Sequence, residues 1–112
     1  MLQKIERKAV DEFKQFLLAN YLDRLELIEL FGSKARGDGE KDSDVDLLVV
    51  VNKIDRGFED EIAGMMTEVC LKYNTLVSPV VFEKNEFEFY RRAKAPIILN
   101  LEKEGIVLWR AS

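Results

Sequence analysis

The chain has no histidine, one cysteine and two prolines in 112 residues. The lack of histidine removes Ser-His-Asp triads, Cys-His pairs and histidine metal sites, so any chemistry must use carboxylates, lysine, arginine, hydroxyls or a bound metal. The lone Cys70 lies in an apolar helical pattern and cannot form an internal disulfide, which points to a reducing, cytoplasmic compartment. No apolar run approaches the ~20 residues of a membrane helix. The opening MLQKIERKAVDEF mixes charges with apolar residues and has no signal-peptide core. Positive charge is also short, with 17 Lys and Arg against 21 Asp and Glu, for a formal net charge of −4. General nucleic-acid binding needs a basic face; local basic residues are enough to grip one triphosphate.

What is present suits a soluble globular protein: 47% of residues are hydrophobic and 34% charged. The length fits one domain, residues 1–112, with one good core. Leu2, Ile5, Ala9, Phe13, Phe16 and Leu17 recur in steps of three and four, which predicts an amphipathic helix over Leu2–Ala19 with Lys4, Glu6, Arg7, Asp11, Glu12 and Lys14 on its wet face. LELIELF, Leu25–Phe31, reads as a strand that Gly32 ends. Val45–Val51 is nearly all aliphatic, as a strand covered on both faces should be. Phe58, Ile62, Met65, Met66, Val69 and Tyr73 predict a second long helix, which Asn74 stops. TLVSPVVF, Thr75–Phe82, reads as a third strand, placed at an edge or bulged because Pro79 lacks a ladder donor. Asn85 with Glu88 resembles a capping box for a short helix through Arg92. Pro96–Glu104 predicts a further helix closed by Gly105, and IVLWR a last strand. The pattern gives an α/β (α+β) fold, a small mixed β-sheet with helices packed on it.

The chemistry concentrates in Phe31–Val51, FGSKARGDGEKDSDVDLLVVV. Asp44 and Asp46 alternate, so on a strand their side chains share a face. Two like charges side by side repel, and a hard divalent cation such as Mg²⁺ offsets that repulsion. A polar strand entrance, with Ser43 and both aspartates wetted, is the competing reading. Gly32 and Ser33, leaving a strand for a short helix, offer backbone N–H groups and a hydroxyl to phosphate, with Lys34 and Arg36 adding positive charge. Gly-Ser is also an ordinary turn. No GxxxxGK[ST] phosphate loop is present.

Gly32-Ser33, then ten residues from Lys34 to Ser43, then Asp44-Val45-Asp46 form a GS-x10-DxD pattern. It resembles the signature of the nucleotidyltransferase superfamily that includes DNA polymerase beta, and GSKARGDGEKDSDVDLLVV is similar to the minimal nucleotidyltransferase (MNT) family. The resemblance implies a nucleotidyltransferase-like fold, with Gly32 and Ser33 holding the triphosphate, Lys34 and Arg36 assisting, and Asp44 and Asp46 binding Mg²⁺ as the catalytic pair. It implies transfer of AMP or another NMP from a nucleoside triphosphate to a hydroxyl, with a tyrosine of a cognate HEPN-type toxin as acceptor and an antitoxin role. The superfamily usually carries a third carboxylate on a neighbouring strand. TLVSPVVF has no acid, and Ser78 stands where that carboxylate is expected; Glu83 and Glu86 read as exposed. The alternative is therefore a catalytically impaired, nucleotide-binding antitoxin that neutralises its toxin by complex formation. Phe87, Phe89, Tyr90, Ile97, Ile98, Leu101 and Trp109 suit either core or a partner interface, and a homodimer through sheet edges or helices is a further expectation.

Overall fold

The computed structural model describes residues 2–37 and 44–112. In order come α1 (Lys4–Tyr21), β1 (Leu25–Phe31), α2 (Ser33–Arg36), β2 (Val45–Val51), α3 (Arg56–Tyr73), β3 (Val77–Glu83), α4 (Lys84–Arg92), α5 (Pro96–Glu104) and β4 (Ile106–Arg110). The strands form one mixed sheet in the order β3-β2-β1-β4. β1 pairs antiparallel with both β2 and β4, and β2 pairs parallel with β3 through the α3 crossover.

Side-chain alternation divides the two faces. Val45, Leu47, Val49 and Val51 join Ala9, Phe13 and Leu17 of α1 and Phe58, Ile62 and Val69 of α3 in the larger core. Leu48 and Val50 face the other way, onto Ile98 and Leu101 of α5, with Phe87 and Tyr90 of α4 beside them. Residues Leu47 to Val51 are at most 2% exposed, which explains the unbroken aliphatic run of a strand covered on both sides. Pro79 sits on the edge strand, opposite Leu47, where a missing N–H is tolerated. Asn74 ends α3 in the left-handed region at φ 49°, a conformation asparagine accepts better than most residues.

Three expectations are corrected. The buried stripe of α1 runs through Glu6, Ala9, Val10, Phe13, Leu17 and Tyr21. Glu6 therefore lies in the core rather than on the wet face, while Ile5 is 47% exposed. The cap of α4 is Glu83, whose side chain accepts from the backbone of Glu86 while the Glu86 side chain accepts from the Glu83 N–H, so the capping box begins two residues before Asn85. Glu83 Oε2 also accepts the Ile54 N–H at 2.8 Å; this tertiary bond fixes the register and leaves Glu83 half-buried. β3 starts at Val77, so Thr75 and Leu76 precede the ladder. Of the C-terminal apolar residues, Ile98 and Leu101 are buried and Phe89 is 60% exposed.

Candidate nucleotide and metal site

The candidate site lies at one end of the sheet, where β1 finishes and the parallel strands β2 and β3 begin. Phe31, the last residue of β1, is opposite Asp46, and Asp46 is opposite Ser78. Phe31, Leu48 and Phe82 pack on the α4–α5 side, so alternation puts Asp46 and Ser78 on that face, with Asp44 one alternation before Asp46. Asp44 is exposed and Asp46 half-buried. The Ser78 hydroxyl donates to Asp44 Oδ2 at 3.3 Å. Ser43 and the rest of 38–43, which fell within the expected strand entrance and spacer, lie outside the described residues.

Gly32 is required at its position for two reasons. Its φ of 76° and ψ of −159° fall in a region that is essentially glycine-only. A Cβ there would also run into Asp46 Oδ2. The backbone of the Gly-Ser turn thus rests directly against the second aspartate. Ser33 then opens α2, a single turn closed by Gly37 in the left-handed region at φ 82°.

The two basic residues of that turn have different placements. Lys34 does not present its ammonium on the exposed turn: Nζ pairs with Glu6 Oε2 at 2.8 Å, and each side chain is 3% exposed. Glu6 Oε1 takes the Gln3 N–H at 2.7 Å. Arg36 stays on the surface, its Nη1 3.1 Å from Glu104 Oε2 at the end of α5, and its charge acts on Asp46. Sequence reasoning missed both acids. Glu6 had a signal, because it is in phase with Ala9, Val10, Phe13 and Leu17 and so falls on the apolar stripe. Glu104, 68 residues from Arg36, had none.

Burial and the neighbouring Asp44 charge push the Asp46 carboxyl above its ordinary range, and Arg36 partly counters them. A crowded, partly desolvated carboxylate such as Asp46 is relieved by a cation, and a hard cation takes one or two carboxylates and completes its shell from phosphate and water. The residues fit that donor set in number and chemistry. Among the described residues no cluster of three His, Cys, Asp or Glu side chains suits a metal, in keeping with serine rather than an acid at position 78. Glu83 lies at the far end of β3, opposite Val51.

Comparison with known proteins speaks to the family and the fold. The profile of the nucleotidyltransferase domain family matches residues 10–108. A Methanocaldococcus jannaschii protein named as a candidate protein adenylyltransferase is 36% identical over 104 residues, covering 93% of this chain and 98% of the relative. A solved toxin–antitoxin complex with AMP-PNP contains a chain that superposes with a TM-score of 0.57 at 22% identity, over 91% of this chain and 74% of that one. A complex of a tri-AMPylated Shewanella oneidensis HEPN toxin with its MNT antitoxin gives a TM-score of 0.52 at 18% identity, over 94% of this chain and 72% of that one. At these identities the two solved structures speak to the fold alone. The family match and the M. jannaschii relative go further, and the chain belongs to the nucleotidyltransferase domain family.

Proposed function

We propose that this protein is a cytoplasmic, Mg²⁺-dependent adenylyltransferase. It moves AMP from ATP to a hydroxyl of a protein partner, a tyrosine of a HEPN-type toxin, and so acts as its antitoxin. The observation that carries this reading is the contact between Gly32 and Asp46: only a residue without a side chain lets the phosphate turn and the metal carboxylate share one corner. The M. jannaschii relative named for protein adenylylation and the AMPylated HEPN toxin bound to an MNT antitoxin support the choice of acceptor.

In this reading Gly32 and Ser33 cradle the triphosphate, and Asp44 and Asp46 hold Mg²⁺. Bound Mg²⁺ supplies Lewis acidity at the phosphoryl oxygens. Arg36 adds positive charge beside Asp46, and Lys34 fastens the turn to α1 through Glu6. The acceptor hydroxyl gives its proton to solvent, its oxygen bonds to the α-phosphorus, and the bond from that phosphorus to the bridging oxygen breaks as pyrophosphate leaves. The test is incubation with labelled ATP, Mg²⁺ and the HEPN protein encoded beside this one. Label on the toxin that disappears in Asp44→Ala and Asp46→Ala supports transfer. Neutralisation that survives both substitutions without any label sinks it.

Ser78 favours a second reading, an antitoxin that binds nucleotide but transfers poorly. A serine in register with Asp46 and bonded to Asp44 cannot serve as a carboxylate base, and general-base help is worth roughly 10²–10⁴ in rate. The same assay separates the two readings, since the second expects nucleotide binding and neutralisation with little or no label.

A further inference from the structure

On the same sheet face as Asp46, farther along β1, a cleft of about 460 Å³ opens between the sheet and helices α4 and α5. Its floor carries Glu29, which is opposite Leu48 in β2. Glu29 is only 7% exposed, yet among the described residues its carboxylate has no hydrogen bond and no ion pair, and its oxygens open only to the cleft. Buried carboxylates are normally paired, and an unpaired one calls for an explanation. Arg110, opposite Leu27 in β4, acts on Glu29 only at a distance, and burial pushes the carboxyl above its ordinary range. Gly105 preserves the space: a Cβ there would overlap Glu29 Oε2 and come within 2.6 Å of the Leu101 carbonyl oxygen.

The lining has an order. The single deep charge is negative, the walls include Leu27, Ile98 and Leu101, and the exposed rim carries Arg91, Arg110 and Glu102. A ligand that satisfies this set has a cation at the tip of an apolar stem and an anion at the other end. We propose that the cleft binds a basic amino acid with a free α-carboxylate, its guanidinium or ammonium on Glu29 and its carboxylate at Arg91 and Arg110. The stem lies along the aliphatic wall. Glu102 receives the α-ammonium when the ligand is a free amino acid, and goes without it when the ligand is the C-terminal residue of a peptide. The cleft's volume is in the range of small-molecule sites.

Calorimetric titration of the full chain tests this with L-arginine and L-lysine, with agmatine, which lacks the carboxylate, and with acetyl-glycyl-arginine, which lacks the free α-amine. The expected result is saturable one-to-one binding of at least one of the two amino acids. Glu29→Gln weakens it at least about tenfold, as loss of a charge-assisted hydrogen bond does. Agmatine binds more weakly than L-arginine to the parent and equally to an Arg91→Gln/Arg110→Gln variant. Peptide binding as strong as that of the free amino acid assigns the site to a chain terminus, and weaker binding assigns it to the free form. Absence of saturable binding, equal affinity for agmatine and arginine in the parent, or indifference to Glu29→Gln overturns the proposal. So does a melting temperature that falls in Glu29→Gln and in Arg110→Gln without adding in the double variant, because Glu29 is then the partner of Arg110. Should Glu29→Gln not fold, the surface arginine variant still decides between the outcomes.

Discussion

Replacing Glu6 with alanine asks whether the Gly-Ser turn is held in place from α1. Glu6 and Lys34 form an ion pair of 2.8 Å with both side chains 3% exposed. Removing Glu6 takes from a buried ammonium the carboxylate 2.8 Å away, and breaking a buried ion pair costs about 3–5 kcal/mol. Unfolding entropy of about 2.1 cal/mol/K per residue, over a chain of 112 residues, makes this a fall of roughly 13–21 °C in Tm. Circular-dichroism melts of Glu6→Ala check it. The double variant Glu6→Met/Lys34→Met removes both charges and fills the space with apolar atoms; it gives up the Glu6 bond to the Gln3 N–H, worth about 1 kcal/mol, and is still less destabilised than Glu6→Ala. ATP affinity of the double variant, measured by fluorescence titration with Mg²⁺, then separates two roles for Lys34. If its role is to anchor the turn, affinity is retained; if its ammonium meets the phosphates, the variant folds but binds at least about tenfold more weakly. We expect retention. A Glu6→Ala melt within about 4 °C of the parent, or a stable double variant that has lost ATP, refutes the reasoning.

Gly32→Ala costs about 1–3 kcal/mol from its backbone region alone and displaces Asp46, so both Tm and Mg²⁺-dependent ATP affinity fall. Gly64→Ala is the control: it lies inside α3 with open space around the new Cβ and gains about 0.5–1 kcal/mol. Because the folded-state pKa of Asp46 is raised, the fold favours its protonated form. Its destabilising effect is absent below the unfolded value of about 3.9 and grows as pH rises through the folded value. Melts of Asp46→Asn against the parent over pH should show the variant gaining relative stability as pH rises; parallel curves contradict the shift. Ser78→Asp places a third acid opposite Asp46 and should raise Mg²⁺-dependent ATP affinity or transfer; no change in either means that position 78 is not that of the third carboxylate, or that another acid already serves.

The sequence was most readable where local chemistry and burial agree. Leu25–Phe31, Val45–Val51, Pro96–Glu104 and Ile106–Arg110 all appear with the expected bounds, because Gly32, Pro96 and Gly105 punctuate runs whose apolar pattern has one solution. Pro79 narrowed β3 to an edge or a bulge, and the edge is what the sheet shows. The misses are tertiary. Asn85 and Glu83 each precede a glutamate by three residues, and the competition is settled by the Ile54 N–H, which lies 29 residues away in sequence. Glu6 was assigned to water because it is charged, although its phase along α1 matched the core. At the site, Gly32, Asp44 and Asp46 could be found from spacing, since backbone freedom and shared strand faces are local properties. The different placements of Lys34 and Arg36 depend on acids in α1 and α5, and nothing in the motif itself encodes them.

The sheet order has a consequence for how the protein is made. β1 is an interior strand only because residues 106–110 return to pair with residues 27–30, about eighty positions later. Until β4 has left the ribosome, LELIELF keeps an open, largely apolar edge, the kind that pairs with other chains. Such distant pairing also makes closure slow relative to the local helices. Glu104 emerges at the same late stage, so its bond to Arg36 forms only when synthesis of β4 is at hand. A transcript broken before Ile106 therefore yields a fragment whose β1 keeps an open apolar edge.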